Sequence, residues 1–231
     1  MAIGISPFSM NVAASAVVAL LNNQLLKYGG DAAVAANGVV NSFAPLVVML
    51  VLGICQGMQP IAGYNYGAGN IERLKSVYKL TMKWDVAIGI VGSLLVITIP
   101  RYLAMCFSKD QELIELCVPA FRLLLIMSPL ISFTITNSQF FQSIDKPWIA
   151  IVTSLSRQVL FLTPMMFIVP PIFESLGGSG LIGVFASCTI CDVLGAALSA
   201  LLLKSQLKVF RPGYVPEERH HIKECGPERA E

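Results

Sequence analysis

The sequence predicts an all-α membrane protein, a bundle of six transmembrane helices, and three observations predict it. Six long apolar runs are separated by charged or Gly/Pro-rich breaks. Of the 231 residues, 55% are hydrophobic and only 13% are charged, with a mean hydropathy of +0.70. The runs reach about 20 residues, enough to cross a hydrocarbon layer of about 30 Å. A backbone in lipid must satisfy its own hydrogen bonds, so each run is expected to be a helix.

The first helix is expected over about 3–26. It has no basic n-region and outlasts a signal-peptide core, so it reads as a retained span. The turn Tyr28-Gly29-Gly30-Asp31 follows, with Asp31 placed to cap the second helix, about 32–61. The third covers about 77–99 and stops at Pro100. The fourth, about 110–142, starts after Ser108, whose spacing to Gln111 is that of a capping box. Pro119 and Pro129 predict bends inside it. The fifth runs from the Asp145-Lys146-Pro147 turn to Pro170-Pro171, about 147–169, and the sixth spans about 180–203. One lobe, 1–203, is therefore followed by a polar tail, 204–231. Arg73, Lys75, Lys79, Lys83, Lys146, Lys204, Lys208 and Arg211 fall on one side of this arrangement, against Lys27, Arg101 and Lys109 on the other. That bias places both termini in the cytoplasm.

Other classes find little support. The net charge is +2, and no basic cluster is interleaved with aromatics, so no nucleic-acid partner is expected. Cys55, Cys117, Cys188 and Cys191 lie inside apolar helices, where a thiol packs as a small hydrophobe. Cys188 and Cys191 form a C-x-x-C without a second pair, and His220 and His221 sit apart in the tail, so no metal site or cofactor is predicted. No helix pairs a nucleophile with a base, which speaks against an enzyme.

Polar side chains nevertheless line up. Pro7, Asn11, Ser15 and Asn22 share one side of the first helix. Asn37, Asn41, Gln56 and Gln59 flank Pro45 in the second, and Ser128, Ser132, Thr136 and Gln139 align in the fourth. Such groups avoid lipid, because an unpaired amide there costs several kcal/mol. They either wall a cavity for a polar or cationic small molecule or bond neighbouring helices, at ~0.6 kcal/mol each. Asn11, Ser15, Asn37, Asn41, Ser128, Ser132 and Thr136 are the cavity candidates. Intramembrane charge is the sharper signal. Asp192 lies in the middle of the sixth helix, with Arg157 in the fifth as its nearest candidate partner; a proton relay and a buried salt bridge both fit this pair. Arg122 sits in the first half of the fourth helix. Asp85, near the cytoplasmic end of the predicted third helix and close to Lys83, reads as a solvated interface residue. The glycine-rich stretch 56–69 lacks the Gly-Lys-Ser/Thr of a phosphate loop. Its Gly57, Gln59, Pro60 and Gly63, with Pro45, form either a gate hinge or a simple helix end.

The block from Leu52 to Gly69, LGICQGMQPIAGYNYGAG, resembles the close of the eighth membrane helix of multidrug and toxic compound extrusion (MATE) transporters. Phe140–Pro147 (FFQSIDKP) resembles that family's turn between helices ten and eleven. Ser156–Pro164 (SRQVLFLTP) resembles helix eleven, and Cys191–Leu194 (CDVL) helix twelve. The resemblance covers about 3–214 but only the C-terminal half of a family member, whose twelve helices form two lobes around a central cleft. It implies export of organic cations or other toxic compounds, coupled by alternating access to inward H+ or Na+, in a bacterial inner membrane. It also implies a lipid bilayer around the chain and an N-terminal lobe, or a second copy, against it. The acidic residues that bind the coupling ion in some branches are missing from the helices matching the first and fourth here. The resemblance then puts the coupling carboxylate either in the missing lobe or, as the only local substitute, at Asp192, which with Arg157 forms the coupling or structural pair. A non-transporting remnant or scaffold is the main alternative; half of a lipid-linked-substrate flippase fits less well, because the polar stripes are neutral.

Overall fold

The computed structural model describes residues 2–107, 110–144, 147–175 and 179–205. All regular structure among them is helical: α1 (Ala2–Ala68), α2 (Ile71–Thr98), α3 (Pro100–Met105), α4 (Gln111–Leu125), α5 (Ser128–Ser143), α6 (Pro147–Leu155), a π-helical segment (Ser156–Leu162), α7 (Thr163–Ser175) and α8 (Gly180–Ser205). The predicted boundaries at Ser108, Asp145 and Lys146, and the tail from 206 onward, lie outside the described residues.

α1 holds the first two predicted helices. At 1.5 Å per residue its 67 residues would extend about 100 Å, far beyond a bilayer. Gly30, with φ 65° and ψ −164°, breaks it inside the predicted turn. A side chain is disfavoured in that left-handed region, so glycine makes the reversal possible. The second arm does not stop near residue 61. It stays helical to Ala68 and closes on Gly69, φ 74°. There Asn70 N–H donates to the Asn65 carbonyl and Gly69 N–H to that of Tyr66, at 2.9 and 3.0 Å. This is the paired bonding of a glycine-closed helix C-terminus. Asn70 then caps α2, accepting from Arg73 N–H at 3.3 Å.

The bend of the fourth predicted helix falls at Pro129 alone. Pro129 has no N–H for the Leu125 carbonyl and its ring crowds it; α4 ends there and α5 leaves at 44°. Pro119 is accommodated inside α4. In the fifth predicted helix Pro164 likewise lacks the N–H that Leu160 would receive, and the π turn lies just ahead of it.

Two apolar clusters hold the bundle. One joins α1, α2, α3, α4 and α8 through Leu25, Val40, Val96, Ala104, Phe121 and Phe185. The other joins the end of α1, α2, α5 and α6 through Met58, Leu74, Phe140, Phe141 and Ala150. Large apolar side chains such as Met49, Trp84, Val91, Leu94 and Leu201 face outward, as a lipid-embedded surface requires. Close approach depends on small residues. A Cβ on Gly89 would lie 2.7 Å from Pro129 Cα, and one on Gly183 2.8 Å from Pro170 Cα. Contact distances of this kind are the usual basis of helix pairing in lipid.

Gly89→Ala is therefore expected to lower stability by about 1–3 kcal/mol, because the new methyl meets backbone that cannot yield. Gly57→Ala meets nothing within 4 Å and gains up to about 1 kcal/mol of helix propensity. Thermal unfolding of the chain in detergent micelles should move in opposite directions for the two variants.

Candidate functional site

A cavity of about 220 Å3 opens where both arms of α1, the α4–α5 bend, the π segment and α8 meet. Asn37 and Asn41 reach it from α1, Leu124, Leu125 and Ile131 from the bend, Arg157 from the π segment, and Cys188, Cys191 and Asp192 from α8. Periodicity explains the α8 contribution, since 188, 191 and 192 share one face. Asn37 is buried and donates to Asn22 Oδ1 at 3.5 Å, while Asn41 is exposed.

The charged part of the wall is one ion pair. Arg157 Nη1 donates to Asp192 Oδ1 at 2.8 Å, with side chains 30% and 12% exposed. Two features aim the guanidinium. The π turn re-registers residues 156–162 relative to an α-helix. Opposite it, a Cβ on Gly195 would come within 2.9 Å of Arg157 Cγ, so the missing side chain there makes room for the arginine stem. Both charges thus sit at the rim of a cavity whose other walls are amide, thiol and hydrocarbon.

The remaining candidates go elsewhere. Asn11 has no described side chain. Ser15 is exposed on the first arm of α1 and does not line the cavity. Ser128, Ser132 and Thr136 are buried against α2. Ser128 donates to the Gly89 carbonyl at 2.8 Å and lies 2.9 Å from Ser93 Oγ, and Ser132 donates to the Ser128 carbonyl at 3.0 Å. Pro45 is exposed within the second arm of α1. Gly57, Gln59, Pro60 and Gly63 are helical rather than part of a loop. Gln59 donates to Gln139 Oε1 at 2.9 Å, and Gly63 lies against the Ser143 carbonyl.

One reading is overturned. Asp85 is not a solvated interface residue but fully buried. Because α2 begins at Ile71 rather than near 77, Asp85 falls at the helix midpoint. Its Oδ2 lies within hydrogen-bond distance of Thr136 Oγ1 at 2.7 Å and of Cys55 Sγ at 3.2 Å. The signal was present in the sequence: Tyr78, Thr81, Asp85, Gly89, Gly92, Ser93 and Val96 recur at three- and four-residue steps as one small or polar face, and all are buried. Proximity to Lys83, which lies on the exposed side, hid it. Nearby, Tyr78 donates to Asn137 Oδ1 at 2.5 Å and Asn137 Nδ2 to Ser199 Oγ at 2.8 Å, joining α2, α5 and α8.

The MatE family model matches residues 7–168. The chain belongs to the MatE family. Family members are transporters rather than enzymes, so this is a membrane protein of a multidrug efflux transporter family. It is 28% identical over 214 residues to the multidrug export protein MepA of Staphylococcus aureus (strain MSSA476), covering 90% of this chain and 45% of that protein. MepA of Staphylococcus saprophyticus is 25% identical over the same shares. Among solved structures, the MATE multidrug transporter DinF-BH is 36% identical with a TM-score of 0.76, matching 90% of this chain and 45% of that one. An outward-facing MATE family transporter of the MOP superfamily superposes with a TM-score of 0.80 at 19% identity, over 91% of this chain and 46% of that chain. An inward-facing MATE family transporter of the same superfamily gives 0.79 over 89% and 47%. The chain thus spans a little under half the length of the relatives it matches.

The ion pair gives a quantitative expectation. Asp192→Asn or Arg157→Ala leaves the partner charge unmatched in a largely apolar wall, and each is expected to destabilise by about 1–3 kcal/mol, below the fully buried range because both groups touch solvent. Combining Arg157→Met with Asp192→Leu should recover most of the loss, which a double-mutant cycle on denaturation midpoints in micelles measures directly.

Proposed function

We propose that this chain is the C-terminal lobe of a cation-coupled multidrug efflux antiporter that exports organic cations or other toxic compounds by alternating access. The cavity carries the reading. At about 220 Å3 it is smaller than the roughly 300–1,000 Å3 of a site that encloses a drug-sized molecule, and it opens at a rim of neutral amides with one carboxylate–guanidinium pair. It is half of a site, as expected of a chain that spans under half of its relatives. A second lobe facing it would complete the binding volume and cover the exposed Asn41 and the partly exposed Arg157.

Asp192 is the carboxylate placed to respond to such a partner. A cationic solute competing with Arg157 for Asp192, or a coupling H+ or Na+ doing so, alters the charge of the wall. An ion that binds one arrangement of the lobes better than the other shifts the population toward it by that difference in affinity. Asn37, Asn41 and the apolar wall supply orientation and contact area. The lysine and arginine distribution supports an inner-membrane orientation with both termini cytoplasmic.

The test is export in a susceptible host lacking its own pumps. The chain alone should not reduce accumulation of a fluorescent organic cation, whereas the chain produced together with the N-terminal half of DinF-BH should. Asp192→Asn in that pair is expected to reduce export at least tenfold with the protein still present in the membrane. Absence of export from the pair, while intact DinF-BH exports, would favour the remnant or scaffold reading.

A further inference from the structure

We propose that Asp85, Thr136 and Cys55 form a resident proton-binding site at the centre of the lobe, in which Asp85 is a neutral carboxylic acid that holds α1, α2 and α5 together. The inference stands apart from the exporter reading, since it concerns a group that does not line the cavity.

The first ground is the orphaned oxygen. Asp85 is fully buried, and its Oδ1 has no hydrogen-bond partner. No described cation pairs with the carboxyl, whose partners are a hydroxyl and a thiol. A carboxylate carrying half its charge on an unpartnered oxygen in the middle of a membrane helix is the costly case; a neutral acid leaves only an uncharged carbonyl oxygen there.

The second ground is a count of protons. Thr136 Oγ1 lies 2.7 Å from Asp85 Oδ2 and 2.8 Å from the Ser132 carbonyl. Its single hydroxyl hydrogen can serve one of them. If Thr136 donates to the Ser132 carbonyl, the short contact to Asp85 needs a hydrogen from the carboxyl side. A proton on Oδ2 supplies it, giving a chain from Asp85 O–H to Thr136 Oγ1 and from Thr136 O–H to the Ser132 carbonyl, while Cys55 S–H still approaches Oδ2. The proton is taken from water as the O–H bond forms, and is returned to water only if water reaches the seam.

The surroundings favour H+ over a metal cation. Hard cations take several oxygen ligands, and a thiol is a soft one; the cluster offers one carboxyl, one hydroxyl and a thiol. Cys55 from α1 is the titratable group bonded to Asp85. The α5 face presents hydroxyls. Lys79 and Lys83 of α2, Arg101 of α3 and Glu115 and Arg122 of α4 are exposed.

Infrared spectroscopy of the whole chain in lipid vesicles tests this. At neutral pH the protein should show the carbonyl stretch of a protonated carboxylic acid, moved down in deuterium oxide. Asp85→Asn, which mimics the neutral acid and is expected to fold, should lack that band, and Asp192→Asn should retain it. Thr136→Val removes the acceptor of the acid proton and should shift the band upward without abolishing it. A spectrum unchanged by Asp85→Asn, in protein whose helical circular dichroism matches wild type, would overturn the proposal, as would a band insensitive to Thr136→Val.

Discussion

Hydrocarbon offers no partner for a polar group, and that constraint organises everything in this lobe. With lipid on the outside, apolar burial alone cannot hold helices together; contact distance and hydrogen bonding between them do so. The seam between α2 and α5 uses both. Gly89 brings the backbones together, and Ser93, Ser128 and Thr136 place hydroxyls where each finds a carbonyl, a hydroxyl or Asp85. The Tyr78–Asn137–Ser199 relay extends the network to α8. Polar residues on these faces thus secure one packing register, a role that aliphatic side chains in lipid fill poorly.

The same constraint sorts the polar residues into two populations. Those of α5 are consumed in pairing with α1, α2 and α8. Those around the cavity are incompletely enclosed: Asn41 is exposed, and Arg157 and Asp192 bond to each other at a partly open rim. Pairing is incomplete at the cavity, so its rim and not the α2–α5 seam is the chemically available surface. Arg157 reaches that rim because the backbone is locally irregular, with a π turn behind it and a missing side chain at Gly195 before it.

Much of this was legible in the sequence, and the failures share a cause. Hydropathy located the apolar segments, Pro129 the bend, Gly30 the reversal, and helix depth the Arg157–Asp192 pair. Periodicity showed that Ser128, Ser132 and Thr136 share a face but not which neighbour that face meets, so a helix-bonding stripe and a cavity wall looked alike. Asp85 was misread through a boundary error. Taking the third helix to begin near 77 moved its midpoint toward the C-terminus and left Asp85 at an end. The charged residues Arg73, Lys75, Lys79 and Lys83 suggested an interface, yet α2 carries them through its first turns on its exposed side. The glycine-rich stretch looked like a loop because glycine density usually marks one; here Gly63 serves close packing, and Gly69 alone makes the turn.

The two intramembrane carboxyl groups Asp85 and Asp192 differ in how completely they are enclosed. The chain superposes on an outward-facing and on an inward-facing transporter with TM-scores of 0.80 and 0.79, a likeness of fold. Asp192 and Arg157 border the open side of the cavity and stay partly exposed. Asp85 is fully enclosed, and its partners come from α1 and α5. The seam is best kept neutral, since a buried charge would draw water between α2 and α5 and loosen the register that Gly89 and the hydroxyls maintain. How completely each carboxyl is enclosed thus separates a group spent on packing from one left open at the cavity.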